Sequence, residues 1–135
     1  MASATVLCVD NSNAFLQVRK TNLERLGLSV LTATDTQSAI TILSNLPVSA
    51  VLVDYKHEGL DAEAVAVHIK RWFPKQPVIL LSAFSDLPER VLWLFDEYVL
   101  KSEPPERIAA LIDQITTIGK KPPSSEQAVN RRAAG

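Results

Sequence analysis

The sequence is poor in the residues that build disulfide frameworks and structural metal sites. Its 135 residues include one cysteine, Cys8, and two histidines. An internal disulfide is therefore excluded, and the count does not support a structural zinc site. Cys8 lies within an apolar run, so we expect a buried thiol in a reducing compartment.

An excess of charge of either sign is also lacking. Basic and acidic side chains number 14 and 15, and the formal net charge is −1. This balance removes the electrostatic reason to expect a nucleic-acid partner. The longest apolar run, 77-PVILLSAF, is far shorter than the roughly 18 residues that a membrane-spanning helix needs. The N-terminal segment 1-MASATVLCVDNSN has no basic leader, so we expect a cytoplasmic protein without a membrane partner.

What is present is typical of one globular domain. Hydrophobic residues make up 47% of the chain and charged residues 21%, a composition that can support a packed core. From residue 120 the sequence KKPPSSEQAVNRRAAG has no apolar periodicity. We therefore expect a domain over residues 1–119 and a flexible tail over residues 120–135.

Short apolar runs alternate with segments of helical spacing. The runs read as strands, and their continuous hydrophobicity indicates a sheet that is covered on both faces. The expected strands are Thr5–Val9, Leu28–Thr32, Ala50–Val53, Val78–Leu81 and Tyr98–Leu100. The order βαβαβαβαβα predicts an α/β fold in which five helices flank a five-stranded parallel sheet.

Capping signals bound the predicted helices. Asn13 is expected to cap the first helix and Gly27 to end it, while Asp35 or Thr36 caps the second and Asp61 the third. The predicted buried stripe of the first helix is Phe15, Val18, Asn22 and Leu26, with Leu16 and Leu23 beside it. Those of the next two helices are Ala39, Ile40, Leu43 and Leu46, and Val65, Ile69 and Trp72 or Phe73.

The last two helices are marked by prolines near their first turns. The fourth has Pro88 in its first turn and an expected stripe of Leu87, Val91 and Leu94. The fifth is predicted from Pro105 to Ile118, with Gly119 closing it.

Polar side chains follow four of the predicted strands. Asp10 and Asn11 end the first, Asp54 the third and Ser82 the fourth, and Lys101 follows the fifth. Each alone has a structural reading as a turn residue or a solvated side chain. Because the carboxyl ends of parallel strands meet at one edge, the four together indicate a functional site.

The order and content of these strand ends resemble the receiver domain of bacterial response regulators, the CheY-like phosphoacceptor of two-component and phosphorelay signalling. The resemblance covers roughly residues 4 to 118 and rests on 7-LCVDN, 51-VLVDYKHEGLDA, 77-PVILLSA and 97-EYVLKS. It implies a doubly wound, flavodoxin-like (βα)5 fold. It also implies a signalling switch that is not an enzyme beyond Mg²⁺-dependent self-phosphorylation and self-dephosphorylation.

The resemblance assigns roles at the acceptor. It makes Asp54 the residue that accepts a phosphoryl group from a histidine kinase or phosphotransfer protein. It places Asp10 and Asn11 at the family's acidic pair, which holds Mg²⁺ together with Asp54 and the backbone carbonyl of Lys56. Lys101 would pair with the phosphoryl group. Such a site suits phosphoryl transfer, whose transition state spreads negative charge over three oxygens.

The resemblance also assigns a switch and partners. Ser82 would bond a phosphoryl oxygen, and Tyr98 would change rotamer on activation. A downstream protein would dock on the fourth helix, fifth strand and fifth helix. A homodimer is also compatible with the resemblance, because phosphorylation commonly promotes dimers in this family.

The chain departs from the family pattern at several positions. Asn11 replaces the second acid, so we expect Mg²⁺ binding to be weakened. His57-Glu58 stands where a Met-Pro pair is common, and is read either as a charge-tuning element or as an exposed loop. Ser102 replaces a proline, so the Lys101–Ser102 bond is expected to be trans. Near the fourth helix, Trp93-Leu94-Phe95 is either an exposed apolar surface or part of the core.

These departures keep a second hypothesis open: a pseudo-receiver that binds its partner without phosphorylation. Enzyme readings fit less well. A phosphatase of the haloacid-dehalogenase type would need an acid at Lys56, and the segment 10-DNSNAF lacks the phosphate loop of a flavodoxin or the glycines of a dinucleotide site.

Overall fold

Strands and helices alternate along the chain in the computed structural model, which describes residues 4–55 and 61–120 and side chains as far as residue 116. The strands are β1 (Thr5–Val9), β2 (Ser29–Ala33), β3 (Ala50–Asp54), β4 (Val78–Ser82) and β5 (Glu97–Leu100). The helices are α1 (Asn13–Glu24), α2 (Thr36–Asn45), α3 (Ala62–Trp72), α4 (Glu89–Trp93) and α5 (Pro105–Lys120). The predicted order of elements is confirmed.

The five strands form one parallel sheet in the order β2-β1-β3-β4-β5. The predicted fold class, a doubly wound flavodoxin-like sheet, is therefore confirmed. The strand order reverses beside β1, so the chain leaves β1 and β3 toward opposite sides and opens a crevice at their carboxyl ends. β3 and β4 each run one residue further than predicted, which makes Asp54 and Ser82 the last residues of their strands.

Helices cover both faces of the sheet, and alternate strand residues serve the two cores. In β1, Leu7 and Val9 join the core under α2, α3 and α4, while Val6 and Cys8 join the core under α1 and α5. All residues of β3 and β4 are buried. This double burial explains why these two strands read as unbroken apolar runs.

The predicted orientation of α1 is wrong. Its buried side chains are Leu16 and Leu23, whereas Phe15, Val18 and Leu26 are exposed. Asn13 was predicted to cap α1, but the cap is Ser12, whose Oγ accepts a hydrogen bond from the Phe15 N–H at 3.3 Å, and Asn13 is the first helical residue. Cys8 is buried as expected.

A glycine follows α1, and aspartate side chains cap α2 and α3. Gly27 adopts a positive φ of 91° after α1, a conformation that glycine reaches without strain. Asp35 caps α2 and Asp61 caps α3, each through Oδ1, at 2.7 Å from Ser38 N and 3.2 Å from Ala64 N. These predicted helix boundaries are confirmed.

Leu46 was predicted to be buried but is exposed. It lies after the last residue of α2 in extended backbone, so it leaves the helical stripe. For α3 the prediction named Trp72 or Phe73, and the structure selects Phe73, which packs against the core while Trp72 is exposed.

The fourth and fifth helices differ from prediction at their ends. α4 is a five-residue helix in which Val91 is buried, and Pro88 is its cap rather than a first-turn residue. Trp93 is exposed and Phe95 is buried, so the expected apolar segment divides between surface and core. α5 continues through Gly119 to Lys120, because glycine weakens a helix without ending it. The residues of the predicted tail beyond 120 lie outside the described residues.

Candidate functional site

Asp54 ends the central strand β3 at the edge of the sheet where the strands finish. Its side chain is 1% exposed. The next residue, Tyr55, donates its backbone N–H to the Leu81 carbonyl at 2.8 Å, which continues the β3–β4 ladder past the carboxylate. The neighbouring strands therefore hold Asp54 rigidly at a buried position.

Lys101 supplies the cation that faces this carboxylate. Its Nζ lies 2.5 Å from Asp54 Oδ1, and its backbone N–H donates to the Ser82 carbonyl at 2.7 Å. The lysine side chain is 31% exposed. The Lys101–Ser102 peptide is trans, as expected. The ammonium reaches Asp54 with this bond trans, so the missing proline does not disable the contact.

Asp10 brings a second buried carboxylate to the same place. It follows β1, the strand next to β3, and its side chain is fully buried. Its backbone N–H donates to the Ala33 carbonyl at 3.1 Å, and its Oδ1 accepts from the Ser12 N–H at 2.9 Å. Asn11, which the sequence placed at the family's second acid, is an exposed residue.

The surroundings of the Asp54 carboxyl raise its pKa. Burial raises the pKa of Asp54, and the nearby Asp10 carboxyl raises it further, while the Lys101 ammonium lowers it in part. The structure thus brings two acids and a lysine together at the site that the strand ends predicted.

Arg19 is a site residue that sequence reasoning missed. Its Nη1 lies 3.7 Å from Asp10 Oδ2, and its side chain is only 17% exposed. Arg19 stands three residues after Leu16 and four before Leu23, the two buried residues of α1. That 3–4 spacing places it on the inward face, and it is the signal that could have identified this arginine.

Ser82 and Tyr98 share one hydrogen-bond acceptor, the backbone carbonyl of Phe84. The Ser82 Oγ donates to the Phe84 carbonyl at 3.1 Å and accepts from the Phe84 N–H at 2.9 Å. The Tyr98 hydroxyl donates to the same carbonyl at 3.3 Å. The loop after β4 therefore links the two predicted switch residues through one backbone group.

The donor set fits a hard divalent cation. Asp10 and Asp54 offer two neighbouring carboxylates, and Mg²⁺ is commonly held by one or two carboxylates with water molecules completing its shell. Among the described side chains, no group of three or more His, Cys, Asp or Glu residues could hold a metal. The proposed Lys56 carbonyl ligand lies outside the described residues, as do His57 and Glu58.

The comparisons with known proteins establish the family. A profile of the response regulator receiver domain matches residues 6–113, so the chain belongs to that family. The chain is 27% identical over 128 residues to a probable transcriptional regulator, ycf27, of Cyanophora paradoxa, covering 93% of this chain and 53% of that protein. It spans about half the length of the ycf27 relatives it matches.

Solved structures show the same fold. A response regulator receiver domain from Clostridium thermocellum is 26% identical, with a TM-score of 0.75 over 87% of this chain and 97% of that one. TrrA of Thermotoga maritima is 24% identical, with a TM-score of 0.72 over 83% of this chain and 98% of that one. TrrA was solved with Mg²⁺ and BeF, and also in complex with the histidine kinase ThkA.

Within the described residues, no helix combines the length and the apolar character that crossing a bilayer requires.

Proposed function

We propose that this receiver domain accepts a phosphoryl group on Asp54 from the phosphohistidine of a histidine kinase or phosphotransfer protein. One observation carries the proposal: a buried carboxylate at the end of the central strand lies 2.5 Å from an ammonium and beside a second acid. The TrrA–ThkA complex supports the class of partner. The proposal includes the cytoplasmic location expected from the sequence.

The transfer needs little covalent work from the protein. An oxygen of Asp54 forms a bond to phosphorus as the phosphorus–nitrogen bond of the donor breaks, and the released electron pair stays on the imidazole nitrogen. Lys101 faces the oxygens that gain charge and neutralises them. Asp10 and Asp54 would hold Mg²⁺, which when bound supplies further positive charge to the phosphoryl oxygens.

The product would act as a switch rather than as an enzyme. A phosphoryl group adds strong acceptor oxygens at the rim, and these compete for the Ser82 hydroxyl with the Phe84 carbonyl. Because Tyr98 bonds the same carbonyl, movement of this loop would release both side chains. A protein target would then be recognised at the face formed by α4, β5 and α5, with a homodimer as one form of output.

Intact mass spectrometry tests the acceptor. The protein is incubated with Mg²⁺ and acetyl phosphate, and we expect an adduct with the mass of one phosphoryl group. Asp54→Asn should abolish the adduct, and Asp113→Asn, the same change at an exposed acid on α5, should retain it. An equal adduct in Asp54→Asn would contradict the assignment.

The pseudo-receiver is a second candidate because one observation favours it. Arg19 lies beside Asp10 and balances its charge without a metal. Absence of an adduct with acetyl phosphate and with a panel of phosphorylated histidine kinases would favour this candidate.

A further inference from the structure

The position of Arg19 is unusual for a charged side chain. It lies on the inward face of α1 between Leu16 and Leu23, and the two leucines belong to the core under α1 and α5. A guanidinium on such a face needs a partner, since an unpaired buried charge is strongly disfavoured. Its partner is Asp10 Oδ2, at 3.7 Å.

Among the described side chains, a cation faces each of the two buried carboxylates of the site. Asp54 faces Lys101 and Asp10 faces Arg19. Asn11 is uncharged, whereas an acid at this position would give the site a net negative charge. A pair of carboxylates already balanced by two cations attracts a dication less strongly than an unbalanced pair does.

We propose that Arg19 is a built-in cation of the acceptor site that competes with Mg²⁺ for Asp10 and sets a low Mg²⁺ affinity. The inference rests on the Mg²⁺ site of the proposed function. The guanidinium lies 3.7 Å from the carboxylate that a metal would use, and because its side chain is only 17% exposed, solvent ions screen the attraction little. Arg19 thereby adds to the effect of Asn11 by a separate physical route.

Mg²⁺ binding tests this proposal without any phosphodonor. Binding is measured by isothermal titration calorimetry at constant ionic strength for wild type, Arg19→Gln and Arg19→Leu. The leucine completes the apolar stripe of α1, so this variant guards against a folding defect in the glutamine variant. We expect both neutral variants to bind Mg²⁺ at least about tenfold more tightly than wild type.

Two charge controls separate this effect from a general one. Arg25→Gln removes the same charge from an exposed residue at the end of the same helix and should leave the affinity unchanged. Arg19→Lys keeps a cation at the site and should stay within about threefold of wild type. A tenfold rise in either control would overturn the proposal.

The proposal is also overturned if a folded neutral variant binds Mg²⁺ no more tightly than wild type, or if none of the proteins binds Mg²⁺. Folding is checked by circular dichroism. The acetyl phosphate experiment fails or succeeds separately. A domain that binds Mg²⁺ as expected but forms no adduct with acetyl phosphate or with phosphorylated histidine kinases would refute phosphorylation and leave the role of Arg19 intact.

Discussion

Two short ion pairs lie at opposite ends of the sheet. Lys70 Nζ is 2.6 Å from Asp96 Oδ2 at the end where β4 and β5 begin, and Lys101 Nζ is 2.5 Å from Asp54 Oδ1 at the end where the strands finish. The distances are nearly equal, but the Asp96 side chain is 45% exposed and that of Asp54 is 1% exposed. The surroundings of the carboxylate, rather than the length of the contact, distinguish the two pairs.

The Lys70–Asp96 pair at the beginning of the strands has a structural role. Asp96 Oδ2 also accepts from the Val78 N–H at 2.7 Å, and Lys70 also donates to the Gln76 carbonyl at 2.6 Å. The contacts tie α3 to the start of β4 and to the residue before β5. At the other end, Asp54 keeps a raised pKa because burial and Asp10 oppose its charge. A carboxylate held against its preference is typical of a functional site.

The largest effect is expected from Lys101→Met. In the proposed transfer the ammonium beside Asp54 stabilises the phosphoryl group, so without it the rate of phosphorylation should fall about 100-fold. The rate is measured by intact mass during reaction with acetyl phosphate. Lys70→Met makes the same change in the other ion pair and should keep a rate close to wild type. Equal slowing in both variants would contradict the division between the two pairs.

Asp96→Ala should lower the free energy of unfolding without affecting phosphorylation. It leaves the buried Val78 N–H without its acceptor, which costs about 1–3 kcal/mol, and the exposed ion pair adds little to this loss. Urea denaturation measures the change. Asp96→Asn keeps an oxygen that can accept from Val78, so its loss should be smaller. If the two variants lose equal stability, the Val78 hydrogen bond is not the main contribution of Asp96.

Asp54→Asn should stabilise the protein, by roughly 1 kcal/mol. The raised pKa of Asp54 means that the folded state disfavours the carboxylate relative to the unfolded state. Wild type therefore loses stability as the pH rises from the unfolded value through the folded one, and the gain from asparagine is largest above that window. Urea denaturation in the presence of a chelator, at acidic and neutral pH, measures it. A less stable variant at neutral pH would contradict this account.

Much of the fold and most of the site could be predicted because strand ends are local features. Apolar runs mark β3 and β4, and the parallel arrangement then brings Asp10, Asp54 and Lys101 to one edge. The buried face of α1 could not be predicted, because its apolar residues form two neighbouring stripes and either could have faced the sheet. Only packing against the sheet selects Leu16 and Leu23 over the stripe that includes Phe15.

Arg19 was missed for a different reason. A charged residue is ordinarily assigned to the solvent face of a helix, and the spacing of Arg19 from Leu16 and Leu23 became informative only once those two leucines were known to be buried. The shared acceptor of Ser82 and Tyr98 was also beyond prediction, since it depends on the path of the loop after β4. These features could not be predicted because they depend on tertiary packing, which selects among arrangements that the local sequence favours equally.

A third carboxylate, that of Asp35, has a lowered pKa where Asp54 has a raised one. Its substitution sharpens the contrast with Asp54 and is expected to have the smallest effect. Asp35 accepts the Ser38 N–H at the start of α2, and this hydrogen bond lowers its pKa. Its contribution to stability should be present above the unfolded pKa and be lost as the pH falls through the folded value. Asp35→Ala should lower the melting temperature at neutral pH and change it less at low pH, because the protonated cap is weaker in wild type too. Asp35→Asn is the control, because it keeps an accepting oxygen for Ser38. At neutral pH its melting temperature should lie between those of wild type and Asp35→Ala. A pH-independent loss in Asp35→Ala would show that the ionised carboxylate has no special role at this cap.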